Sequence, residues 1–188
     1  MKRLVSAVLL VCLAGIGPAQ AHDHAAVAGV LTAEEQKALT PDQALQDLKR
    51  GNENFVAGRT SAYDYLAQAR TSAAEGQYPR AAVLSCLDSR VPVEVVFDQG
   101  IGDVFVGRVA GNFENVDMLG SLEFATAASG VPLIVVLGHS DCGAVKGALK
   151  DVQLGNLTPM LDNFDEVVAQ VRAEHLSLIH ISEPTRPY

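Results

Sequence analysis

The sequence predicts an α/β fold with a mainly parallel central sheet flanked by helices, on three observations. Residues 81–85, 104–109 and 132–137 are short, nearly continuous apolar runs rather than alternating ones, the pattern of strands covered on both faces. Between the last two, Met118, Leu122 and Ala125 recur at helical spacing over residues 117–129 and Gly130 follows as a stop, which makes a β-α-β unit. The 188 residues are 48% hydrophobic with a mean hydropathy of +0.17, enough apolar material for one domain and too little chain for two.

Taken in order, residues 1–21 read as an export signal. Lys2 and Arg3 form a basic start, Leu4 to Ile16 an apolar run, and Ala19, Gln20 and Ala21 a small-x-small cleavage site. The run is too short to span a bilayer, and Val11 before Cys12 is too large for a lipid-modified cysteine site. The expected location is therefore the periplasm, with no stable membrane anchor. Residues 22–39 are expected to form a flexible mature N-terminus. Cleavage after Ala21 would open it with His22, Asp23 and His24, an arrangement of amine, amides and imidazole that suits square-planar Cu(II) or Ni(II).

A helix is predicted over residues 40–58, with Thr40 as cap, Pro41 at the first helical position, and Ala44, Leu45, Leu48, Phe55 and Val56 as the apolar stripe. Gly51 is expected to end or bend it. A second helix and a loop ending at Pro79 fill residues 60–80, and two more helices follow the third strand at 143–150 and 162–176. Residues 177–188 carry two prolines and no periodicity, and they resemble translated sequencing-adapter DNA. The domain is accordingly expected to span 40–176, with 177–188 a non-native tail and the authentic C-terminus different after about Leu176.

Charge and cysteine count exclude two classes of function. With 14 Lys and Arg against 22 Asp and Glu the net charge is −8, which argues against a phosphate-tracking surface and so against nucleic acid as partner. Three cysteines in this length are too few for a disulfide framework.

In an open α/β sheet, functional groups gather at the carboxyl ends of the strands. The first strand runs into Cys86, Leu87, Asp88, Ser89 and Arg90, and an extended chain would project Cys86, Asp88 and Arg90 to one side. The third runs into Gly138, His139, Ser140, Asp141 and Cys142. Two thiolates and one imidazole make the donor set that zinc uses in catalytic sites, with Asp88 available as a fourth ligand. A Cys86–Cys142 disulfide, suited to an oxidising compartment, is a second reading, and two core cysteines beside a satisfied histidine a third.

These residues also resemble a known family. Cys86 to Arg90, Gly102 to Asn112, Gly120 to Ala125 and Gly138 to Ala144 are similar in order and spacing to the β-class carbonic anhydrases, and Leu45 to Gly58 is similar to their N-terminal helix, especially in exported bacterial members. The resemblance implies one Zn2+ per chain on Cys86, His139 and Cys142, with Asp88 and Arg90 paired beside the open position. It implies hydration of carbon dioxide to bicarbonate and a proton. Gln77, nine residues before Cys86, is similar in placement to a glutamine that contacts substrate.

The resemblance further implies a homodimer or larger assembly with the N-terminal helical arm on the partner. It also implies a sheet left incomplete at the C-terminus, where the family continues with helix and strand, so that an apolar edge stays uncovered. Hydrolysis of carbon disulfide or carbonyl sulfide, and a non-enzymatic metal-binding or redox thiol module, are the alternative functions. Two thiolates offset the formal charge of the metal, so activity is expected to increase with pH.

Overall fold

The structure, a computed structural model, describes residues 29–173. The export signal, the histidines at 22 and 24 and the segment 177–188 lie outside the described residues. Within the stretch expected to be flexible, Thr32 caps a short helix, α1 (Ala33–Ala38): its hydroxyl accepts from the Glu35 amide, and the Glu35 carboxylate accepts from the Thr32 amide. The reciprocal box satisfies two otherwise orphaned donors, and Gln36 anchors the helix by donating to the Pro79 carbonyl at 2.8 Å.

Helix α2 (Pro41–Val56) begins with the same device on Thr40 and Gln43, and it runs straight through Gly51. The expected break is absent because Gly51 is a contact rather than a stop. It is buried against the segment after α4 (Val93–Val96), where an added Cβ would lie 1.8 Å from the Phe97 carbonyl oxygen. A Gly51→Ala chain is therefore expected to lose about 1–3 kcal/mol of stability despite the better helix propensity of alanine. Denaturant melts of the two chains measure this, and an alanine chain as stable as the parent would refute the contact.

Helix α3 (Tyr65–Glu75) leads into β1 (Ala81–Ser85), and β2 (Val104–Arg108) and β3 (Ile134–Leu137) complete the described sheet in the order β2-β1-β3, all parallel. The central strand β1 is buried throughout. The expectation of burial on both faces fails for β3, whose Ile134 and Val136 are exposed because nothing among the described residues covers that face. Among the described residues β2 and β3 are the two edges of this open sheet.

The crossover from β2 to β3 is α5 (Val116–Glu123), started by the Asn115 side chain and widened over Phe124–Ala128 into a π-helical turn. Gly130, at φ +70°, ends it as expected. Ala125 and Val131 pack against Ala82 of β1, with Phe105 and Leu122 around them. Beyond β3 come α6 (Gly143–Leu149), α7 (Leu157–Leu161) and, after one tight turn, α8 (Asp165–Ala173). Among the described residues no helix is long and apolar enough to cross a membrane.

Candidate metal centre

Strands β1 and β3 are neighbours in parallel register, so the segments that leave them meet at one edge of the sheet. Cys86 is the first residue past β1, and Cys142 stands at the cap position of α6. Both are buried free thiols, and their Sγ atoms lie 3.8 Å apart. His139, two residues past β3, adds a ring nitrogen, and the three ligand atoms fall within 4.8 Å of one another. Among the described residues no other group of three His, Cys, Asp or Glu side chains converges in this way.

The geometry fits a metal rather than a disulfide. Two sulfurs on a tetrahedral zinc with bonds of about 2.3 Å stand about 3.8 Å apart, which is the separation found, whereas a disulfide needs about 2.05 Å. His139 points the same way. Its Nδ1 lies 2.8 Å from the Ser140 carbonyl oxygen, to which only a protonated nitrogen can donate, so Nε2 carries the free lone pair. That Nε2 is buried and has no hydrogen-bond partner, a cost that ligation would remove.

Burial pushes the Cys86 thiol up, but the Gly111 amide, which donates to Sγ at 3.3 Å, outweighs it together with the neighbouring His139 ring, the backbone at Asp88 and Cys142. The result is a fall from the ordinary 9.0 to about 7. Gly111 can present its amide because it sits at φ +86°, where a Cβ would also lie 2.4 Å from the Phe164 ring. A depressed thiol is mostly thiolate above its pKa and mostly protonated below it. Zinc uptake at pH 6 is therefore expected to release about 0.8 proton more from this thiol than uptake at pH 8. Calorimetry in buffers of different ionisation enthalpy counts those protons, and equal release at both pH values would contradict the assignment.

The expected extended run from Cys86 to Arg90 is instead a turn. Val91 donates to the Asp88 carbonyl and the Arg90 amide to Asp88 Oδ1, so the chain doubles back because local hydrogen bonds outcompete continuation of the strand. The turn closes Asp88 onto Arg90: Nε reaches Oδ1 at 2.9 Å and a terminal nitrogen reaches Oδ2 at 2.7 Å. Arg90 thereby holds the Asp88 carboxyl well below the usual carboxylate range, while Arg90 is itself raised. Asp88 Oδ2 stands 3.9 Å from His139 Nε2, beside the ligand group but turned to the arginine.

Gln77 does not join them. It is exposed in the loop before β1, at the amino edge of the sheet, and the whole strand separates it from Cys86 at the other end. Two side chains without a role in the sequence reading do reach the site. Asp141, ion-paired to Lys146, lies 3.7 Å from Arg90, and Arg108 bonds the turn after β1. An arginine closing an otherwise apolar strand is the signal that marks Arg108.

The family profile described as carbonic anhydrase matches residues 81–185, a span that extends into the segment 177–188. The chain is 49% identical over 117 residues to carbonic anhydrase 2 of Mycobacterium tuberculosis, covering 62% of this chain and 56% of that protein. It is 34% identical over 140 residues to a carbonic anhydrase of Pseudomonas aeruginosa, covering 71% of this chain and 63% of that protein. The chain thus spans somewhat over half the length of these relatives. In structure it is similar to a β-carbonic anhydrase of Aspergillus fumigatus, with a TM-score of 0.53 and 32% identity over 58% of this chain and 59% of that one. It is also similar to two tetrameric β-carbonic anhydrases of Sordaria macrospora, with a TM-score of 0.53 and 30% identity over 67% of this chain and 65% of that one.

Proposed function

Since the chain belongs to the β-class carbonic anhydrases, we propose that it catalyses the reversible hydration of carbon dioxide to bicarbonate and a proton on a zinc ion held by Cys86, His139 and Cys142. The observation that carries this reading is the position of Asp88, which is clasped by Arg90 and stands 3.9 Å from His139 Nε2. A carboxylate tied back in this way would not ligate an ion held by the other three residues, and so would leave that ion accessible to water. When bound, zinc supplies the Lewis acidity that makes a water nucleophilic near neutral pH.

The protein groups do the rest. Arg90 depresses Asp88, which is therefore ionised throughout the neutral range, so it can accept a hydrogen bond from the attacking oxygen and orient that oxygen's lone pair toward the carbon of carbon dioxide. Arg90 keeps that carboxylate off the metal, and Asp141 steadies the guanidinium from the opposite loop. The buried thiols and the half-buried imidazole would hold the ion.

Stopped-flow hydration of carbon dioxide with a pH indicator tests this, run beside assays on carbon disulfide and carbonyl sulfide. Activity on carbon dioxide is expected to increase with pH through neutrality, with no acid limb from Asp88, whose depressed pKa places its protonation far below that range. Preference for either sulfur compound would assign the chain to the hydrolase alternative. The tetrameric assembly of the Sordaria relatives supports an oligomer, and the apolar run from Leu4 to Ile16, with the small-x-small site at Ala19 to Ala21 after it, supports a periplasmic site of action.

A further inference from the structure

Arg108 ends β2 in register with Ser85, the last residue of β1, so its side chain extends past both strands and over the turn that follows β1. There it makes two hydrogen bonds, Nε to the Cys86 carbonyl at 2.8 Å and a terminal nitrogen to the Asp88 carbonyl at 2.5 Å. Among the described residues it forms no ion pair. The guanidinium is spent on backbone, and on the backbone of two particular residues.

The carbonyls it joins belong to a metal-ligand residue and to the residue whose carboxylate stands beside the ligand group. A planar guanidinium fixes the spacing of two acceptors in a way that a single donor cannot. The Asp88 carbonyl also accepts from the Val91 amide, so the arginine completes a turn that Asp88 needs in order to face Arg90. Without it, the carboxylate would be free to turn toward an ion held by Cys86, His139 and Cys142, since Oδ2 already stands 3.9 Å from His139 Nε2.

We propose that Arg108 is a positioning residue, bracketing the carbonyls of Cys86 and Asp88 so that the Asp88 carboxylate stays on Arg90 and the fourth metal position stays open. The inference rests on the metal-centre reading above. It deepens that reading by assigning the open state to a residue that touches neither metal nor substrate.

Cobalt(II) loaded into the full chain tests it, because cobalt reports its coordination in the visible spectrum. Azide titrated into the parent is expected to change that spectrum as it takes the open position. In Arg108→Ala the azide affinity is expected to fall at least about tenfold, because Asp88 has moved onto the metal. The double variant Arg108→Ala with Asp88→Asn is expected to recover it, which general damage to the fold would not produce. Arg108→Lys, whose ammonium cannot bridge both carbonyls, is expected to show the same loss and the same recovery, and it carries the test if the alanine variant takes up no cobalt.

Parent-like azide binding in the lysine variant, or a loss that removal of the Asp88 charge does not reverse, would overturn the proposal. Failure of the parent itself to bind cobalt would remove the metal-centre reading, and this inference with it.

Discussion

Replacing Cys142 with alanine is expected to strip the chain of its metal, with zinc affinity falling by more than about 100-fold. The size of the effect follows from the ligand count. Three protein donors leave one position for water, and removal of a thiolate leaves Cys86 and His139 alone, with half the anionic charge that offset the ion. Asp88 cannot substitute well, because it would have to abandon the bonds to Arg90. Metal analysis of dialysed protein checks this. Full zinc occupancy in Cys142→Ala would remove the thiol from the ligand set, and the same experiment on Cys86→Ala and His139→Ala completes the trio.

The second large effect falls on chemistry with the metal retained. Asp88→Asn is expected to keep one zinc per chain and to lose about 100- to 1000-fold in carbon dioxide hydration. An amide has the carboxylate's shape but not its charge, and one of its two orientations presents a donor where an acceptor is required. Arg90→Ala is expected to lose comparable activity by a different route, since it frees Asp88, whose Oδ2 stands 3.9 Å from His139 Nε2, to turn onto the ion that the ligand group would hold. The two routes are separable by anion binding: the asparagine variant keeps an open position and the alanine variant does not. Parent rates in both variants would leave the Asp88–Arg90 clasp without catalytic consequence.

The parts of this site that depend on neighbouring residues in the chain were the legible ones. The β-α-β unit was legible because apolar runs and helical spacing are local signals, Cys86 because it directly follows a readable strand, and His139 and Cys142 because they lie in the short segment between β3 and α6. Arg108 was not, because its partners are set by the β1–β2 register, in which Arg108 lies opposite Ser85. Gly51 misled for a related reason. Helix propensity treats it as a weakness, whereas its lack of a side chain is what lets Phe97 approach. The turn from Cys86 to Arg90 escaped a two-residue strand period because the side chain of Asp88 supplies backbone hydrogen bonds of its own. Gln77 is near Cys86 in sequence and far from it in space, since a parallel strand carries the chain from one edge of the sheet to the other.

X-ray absorption at the zinc edge of the purified chain tests the metal centre most directly, since it counts the sulfurs around the ion without recourse to activity. The expected shell has two sulfur scatterers at about 2.3 Å and nitrogen or oxygen scatterers at about 2.0–2.1 Å. A shell of nitrogen and oxygen alone, or a zinc-free chain in which Cys86 and Cys142 are joined as a disulfide, would contradict it.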